Sequence, residues 1–190
     1  MTNETTPRDA NAATPSPSPR ENRRHPPTAL DQVVLFIGSL AYLGFVPVAS
    51  GTVAVAVVGV PLHLLLRGWL GIGWPAYGAF VAVFTLLAVW VAGRTDRVLN
   101  EEDSSRNVID ELPGYLIAVL GLQITWQVVA LAFFLERAID IIKVWPASWI
   151  ERHLPGGWGV VMDDVVAGLY TLLLLQLGAH VVPGWLGMVR

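Results

Sequence analysis

The apolar residues of this chain run in long blocks that lack Asp, Glu, Lys and Arg. The blocks cover residues 32–66, 68–93, 112–135 and 165–189, with lengths of 35, 26, 24 and 25 residues. A helix that crosses a bilayer needs about 20 predominantly apolar residues, so every block is long enough. Buried core helices of a soluble protein would carry polar outer faces, and these blocks have none. The pattern predicts an all-α, multi-helix integral membrane bundle, because a helix satisfies its own backbone polar groups in lipid.

Two blocks are interrupted. In the first, Pro47 and the Ser50-Gly51-Thr52 turn predict two helical pieces with a bend between them, and Pro61 adds a kink or a new start. In the third, residues 121–126 (Gly-Leu-Gln-Ile-Thr-Trp) combine a glycine, two polar groups and a β-branched pair, which marks a turn. A continuous helix from Pro113 to Val144 would be about 48 Å long and would carry the ionic groups at its ends to opposite membrane faces. A turn at 121–126 instead returns both ends to one side, as a broken or re-entrant pair of short helices. Residues 74–91 and 160–182 read as ordinary spans.

Ahead of this domain of residues 30–190, residues 1–29 hold six prolines among Ser, Thr, Asn and charged residues, the composition of a disordered tail. The first apolar run starts only near Leu30, so the tail does not read as a signal peptide. Arg20, Arg23 and Arg24 lie close before the first block, which predicts a cytoplasmic amino terminus.

Composition narrows the function. Of 190 residues, 54% are hydrophobic and 14% charged, against about 25% charged in an ordinary soluble domain. A formal charge of −3 provides no basic field for nucleic acid. The absence of cysteine excludes thiolate catalysis, disulfides, iron–sulfur clusters and Cys-ligated zinc, so a metal here must be held by oxygen or histidine.

Outside the tail, the sharpest ionic groups sit at the ends of apolar segments. Asp110 and Glu111 precede Pro113 and therefore fall at a helix start, either as an acidic cap on the helix dipole or as hard oxygen ligands suited to Mg²⁺. Arg137, Asp140 and Lys143 recur every three residues and form one helical stripe, with the acid between two cations. That stripe is explained either by local salt bridges or by phosphoryl chemistry, which uses a carboxylate for metal beside cations for phosphate. Asp163 and Asp164 follow the glycine-rich residues 156–159 and lie inside an apolar run, where ionised groups are costly and usually functional. Neighbouring helix positions differ by about 100°, so one of this pair is expected to ligate directly and the other to support it. Gathered at one membrane level, these acids suit an enzyme. Spread along a path across the membrane, they would suit a small ion-coupled transporter or an interaction protein that does not hydrolyse anything.

The ordered motifs Val108-Ile109-Asp110-Glu111 with Gly114, then Arg137, Ile139-Asp140, Lys143 and Pro146, then Pro155-Gly156-Gly157 and residues 162–168 (Met-Asp-Asp-Val-Val-Ala-Gly) resemble the phosphatidylglycerophosphatase A family. Pro47 to Thr52 is a fainter echo of the family's Pro-Gly-Thr. The similarity runs from about residue 33 to 183. The chain departs from the family where Val144 follows Lys143 in place of proline, where Ala54 and Val55 replace Gly-Ser, and at Pro113.

The resemblance implies Mg²⁺-dependent hydrolysis of phosphatidylglycerophosphate to phosphatidylglycerol and inorganic phosphate. It places the enzyme in the inner (cytoplasmic) membrane with its active site facing the cytoplasm and an anionic phospholipid as substrate. Asp110, Glu111, Asp140 and Asp163 are the expected metal ligands, these four with Asp164 the expected catalytic carboxylates, and Arg137 and Lys143 the phosphate-binding cations. An aspartyl-phosphate mechanism lacks its Asp-x-Asp motif here. The four histidines, His25, His63, His153 and His180, lack the neighbours of histidine-dependent lipid phosphatases. Trp145, Trp149 and Trp158 read as anchors at headgroup depth. Oligomeric state is left open by the sequence.

Overall fold

The computed structural model describes residues 28–101 and 104–186. Residues 1–27 of the expected tail, with Arg20, Arg23 and Arg24, lie outside them. The described residues form an all-helical bundle with no strand. Helix α1 (Ala29–Gly38) starts in a capping box, in which Thr28 Oγ accepts from the Asp31 N–H at 3.2 Å and Asp31 Oδ2 accepts from the Thr28 N–H at 3.0 Å. Left-handed residues Leu40, Ala41, Tyr42 and Ala49 then carry the chain through the bend expected around Pro47.

Helices α2 (Ser50–Ala54) and α3 (Val60–His63) are joined and extended by π-helical turns into one rod, Ser50–Trp69. Pro61 sits in the first turn of α3, so the interruption at this point is a widened helix and not a break. Helix α4 (Trp74–Leu99) follows, then α5 (Glu111–Ala118), α6 (Trp126–Ile142), α7 (Ala147–His153) and α8 (Gly157–Val181).

Three of these elements, Ser50–Trp69, α4 and α8, are long and apolar enough to cross a membrane. Large apolar side chains on them, including Val57, Val83, Leu86, Leu173 and Leu177, are exposed, which suits lipid and not water. With 8 and 17 residues, α5 and α6 reach only about 12 and 25 Å, and the chain between them turns at Gly121, whose φ is +75°. The third apolar block is therefore a helical hairpin.

Helix α8 is the central strut and packs on α4, α5, α6 and α7. Its contact with α5 depends on two glycines. A Cβ at Gly168 would overlap the Gly114 carbonyl oxygen, and a Cβ at Gly114 would lie 2.7 Å from the Asp164 carbonyl oxygen. Both obstacles are backbone, which cannot rotate away. Gly168→Val is therefore expected to force α5 from α8 and cost about 1–3 kcal/mol of stability, read as a lower midpoint of thermal unfolding in detergent.

The loop before α5 is gripped from two sides. Gly38 carbonyl oxygen accepts from the Val108 and Ile109 N–H groups at 2.9 and 3.1 Å, and Ser50 Oγ donates to the Ser105 carbonyl at 3.0 Å. These bonds fix the chain immediately ahead of Asp110 and Glu111.

Candidate active site

The ends of α5, α6 and α8 meet at a cluster of ionic side chains. Arg137 lies near its centre and is almost fully buried. Its Nε and Nη2 donate to Glu136 Oε2 and Oε1 at 2.7 and 2.5 Å, a two-pronged bond. Nη2 also donates to Asp164 Oδ1 at 3.1 Å, and Nη1 lies 3.4 Å from Asp140 Oδ2. Nη1 pairs with Glu111 as well. One guanidinium thus ties together carboxylates from α5, α6 and α8.

Lys143 closes the other side. It ends α6 in the left-handed region, with φ +51°, which stops the helix. Its Nζ donates to Glu151 Oε1 on α7 at 2.5 Å and to Asp163 Oδ2 on α8 at 3.2 Å. Burial alone would lower the pKa of this ammonium. The hydrogen bonds and charges of Glu151 and Asp163 outweigh burial and hold it well above the usual lysine value, so Lys143 remains a cation at neutral pH.

The adjacent aspartates divide as the helical geometry requires. Asp164 faces Arg137, whereas Asp163 faces Lys143 and also accepts from the Asp164 N–H at 3.1 Å. Asp110 precedes the first turn of α5 without a side-chain capping bond, and it is close enough to act electrostatically on Asp164. It therefore stands both at the positive end of the α5 dipole and at the edge of the acidic cluster.

Glu111, Asp140 and Asp164 each offer a carboxylate oxygen within 4.8 Å of the others. This is a hard-oxygen donor set of the kind Mg²⁺ and similar ions take. Asp110, Glu111, Glu136, Asp140, Glu151, Asp163 and Asp164 outnumber the two cations Arg137 and Lys143. An excess of wholly or partly buried negative charge is costly unless protons or a further cation join it, and a divalent metal ion is one cation that these residues fit.

Three glycines make the close packing possible. A Cβ at Gly51 would overlap the Glu111 carboxylate, so residues Ser50-Gly51-Thr52, expected as a turn but forming the start of α2, lie beside the site. A Cβ at Gly114 would lie 2.6 Å from Glu136 Oε1, and Gly168 admits α5 to α8. Glu136 and Glu151 belong to the cluster although the sequence motifs do not single them out. The signal for Glu136 is its place at the end of 24 uncharged residues on an apolar helix. Glu151 had no comparable signal. His153 contacts the Trp149 carbonyl through Nδ1 at 2.7 Å and stacks on its ring, a local role.

The helical membrane bundle and its acidic, oxygen-only site define a class: membrane proteins with a candidate divalent-metal centre where helices end. The acids gather in one cluster and do not line a path across the bundle, the arrangement expected of an enzyme. The family model described as Phosphatidylglycerophosphatase A matches residues 36–179. The chain belongs to that family and is a phosphatase.

Among curated proteins, it is 29% identical over 138 residues to phosphatidylglycerophosphatase A of Escherichia coli, covering 72% of this chain and 78% of that protein. It is 34% identical over 155 residues to a Bacteroides thetaiotaomicron protein provisionally named a phosphatidylinositol-3-phosphatase, covering 78% and 94%. It is 29% identical over 133 residues to phosphatidylglycerophosphatase A of Haemophilus influenzae, covering 70% and 80%. No solved structure matches at a significant level.

Proposed function

We propose that this protein hydrolyses the terminal phosphomonoester of phosphatidylglycerophosphate, releasing phosphatidylglycerol and inorganic phosphate. The reaction uses Mg²⁺ at the cytoplasmic face of the inner membrane. The observation that carries this reading is the convergence of Glu111, Asp140 and Asp164 beside two cations, in a chain of this family.

In this reading Glu111, Asp140 and Asp164 hold the metal, and Asp110 supports it from the start of α5. When bound, Mg²⁺ supplies Lewis-acid polarisation of the phosphoryl group and charge neutralisation in the transition state. Asp163, oriented by Lys143 and by the Asp164 N–H, takes a proton from the attacking water. The water oxygen bonds to phosphorus, the bond from phosphorus to the glycerol oxygen breaks, the departing alkoxide takes a proton from solvent, and Asp163 returns its proton to solvent.

Lys143 neutralises a phosphoryl oxygen. Arg137 meets a second one by exchanging its 3.4 Å contact with Asp140, the longest of its carboxylate distances given above. No covalent enzyme intermediate is required.

The test is phosphate release by purified protein from phosphatidylglycerophosphate and, in a parallel arm, from phosphatidylinositol 3-phosphate, the substrate that the Bacteroides relative's name brings into question. Release from the first lipid with Mg²⁺, its loss in EDTA and its return on adding excess Mg²⁺ are expected. Folded protein that releases nothing from phosphatidylglycerophosphate, or that works equally well in EDTA, refutes the reading.

A further inference from the structure

A groove of about 1550 Å³ lies beside the acidic cluster, between α4 and the junction of α7 with α8. Leu86, Trp90 and Arg97 form one wall, with Glu151, Arg152 and Trp158 opposite. Leu86, Trp90 and Arg97 sit at i, i+4 and i+11 and so share a helix face. That face passes from lipid-exposed apolar residues to a cation over about 16 Å. Trp90 and Trp158 are both about half exposed, at 54% and 45%, a setting that suits amphipathic rings at headgroup depth.

The groove bottoms out where α4 touches the start of α8, since a Cβ at Gly93 would stand 2.9 Å from the Gly157 nitrogen. It adjoins the acidic cluster through one residue. Glu151 lines the groove and bonds Lys143, and Lys143 bonds Asp163.

The charges in this groove are suited to an anion. Glu101 accepts from Ser104 Oγ at 2.7 Å and pairs with Arg106, Glu151 pairs with Lys143, and Asp96 is engaged with its own neighbours. Arg97 and Arg152 each donate Nε to the carbonyl four residues back, of Gly93 at 2.9 Å and of Ser148 at 2.7 Å. Those bonds anchor each side chain on its own helix, and the terminal nitrogens are the part that can reach a ligand. An arginine pair above an apolar wall, next to a phosphatase site, matches a lipid with two phosphates, one to be cleaved and one to be held.

We propose that this groove binds the substrate's internal phosphodiester through Arg97 and Arg152, with the first acyl carbons along Leu86, Trp90 and Trp158. The terminal phosphate is thereby directed at the acidic cluster. The proposal rests on the phosphatase reading above and adds a second phosphate subsite to it. It also implies that the product, which keeps the diester, occupies the same groove.

The test measures binding of short-chain phosphatidylglycerol to the purified full chain in detergent containing EDTA, so that no turnover contributes. Arg97→Gln/Arg152→Gln is expected to weaken this binding about tenfold or more, the effect of losing charge-assisted hydrogen bonds. Its melting temperature should stay near that of the wild type. Asp164→Asn should bind the lipid as wild type does, because phosphatidylglycerol lacks the phosphate that the cluster would meet. Unchanged affinity in the double variant overturns the proposal, and so does equal weakening by Asp164→Asn. Failure of the phosphatase reading would be seen separately, as wild-type protein that releases no phosphate from phosphatidylglycerophosphate.

Discussion

Asp164→Asn is expected to lower phosphate release by about a hundredfold or more, because losing a ligand should exceed the effect of disturbing a ligand's partner. The protein should still insert and accumulate. Asparagine keeps the shape of the side chain and one oxygen, but it removes the negative charge at the point where α8 meets α5 and Arg137. Carboxylates already outnumber cations at this site, so removing one relieves repulsion, and the unfolding temperature should hold or rise. A gain in stability with a loss of activity is the pattern of a strained functional site.

Asp140→Asn should behave in the same way. Both variants should need more Mg²⁺ for half-maximal residual activity. Asp163→Asn, by contrast, should lose turnover with a smaller change in the Mg²⁺ requirement, because Asp163 bonds Lys143 and is a neighbour of the triad and not a member of it. Near-normal turnover in both Asp164→Asn and Asp140→Asn would exclude the triad from the chemistry.

Arg137→Gln carries the second large effect, and here stability should fall. The guanidinium bonds Glu111, Glu136, Asp140 and Asp164 in a setting where its side chain is 7% exposed and that of Glu136 is 0% exposed. Removing it leaves buried carboxylates facing one another, a loss of about 3–5 kcal/mol. Arg137→Lys should rescue little, since an ammonium cannot reproduce the two-pronged bond to Glu136 while reaching the other acids.

Arg137→Met combined with Glu136→Met should recover only part of that stability, because the two-pronged pair is replaced by apolar side chains while Glu111, Asp140 and Asp164 still lack their cation. It should not recover activity. Thermal unfolding in detergent, read beside phosphate release, separates these outcomes. If Arg137→Gln melts like the wild type, the guanidinium does not hold the cluster together.

The helices were legible in the sequence because lipid-facing elements must be apolar on every side. Blocks without charge marked α4 and α8 and most of the rod at 50–69, which runs on past Pro61 and through Arg67, where a kink or new start and the end of the block were expected. The polar Gly-Leu-Gln-Ile-Thr-Trp stretch marked the hairpin between α5 and α6. The end of α4 was less visible. That helix continues through Arg94, Asp96 and Arg97, beyond the apolar block, because Arg94 pairs with Asp31 on α1 at 2.8 Å and the chain needs no lipid there.

Within the site, the motifs supplied Asp110, Glu111, Arg137, Asp140, Lys143, Asp163 and Asp164, but not the partnerships among them. Residue spacing along α8 required Asp163 and Asp164 to diverge, yet only the packing of α5, α6 and α7 decides which neighbour each one meets. The same holds for Arg137. One stripe on α6 suggested a pairing with Asp140, whereas its shortest bonds run to the adjacent Glu136 and across to other helices. The roles of Gly51, Gly114 and Gly168 depend on which backbone or carboxylate lies opposite, and local sequence does not encode that.

Manganese binding followed by electron paramagnetic resonance tests the shared cation site most directly, since bound Mn²⁺ leaves the free-ion signal and occupies oxygen sites as Mg²⁺ does. Purified wild-type protein should bind Mn²⁺, with displacement by excess Mg²⁺, and Asp140→Asn and Asp164→Asn should each weaken binding about tenfold or more. Tight Mn²⁺ binding that persists unchanged in both variants, or none at all in folded wild-type protein, would contradict a metal centre built from Glu111, Asp140 and Asp164.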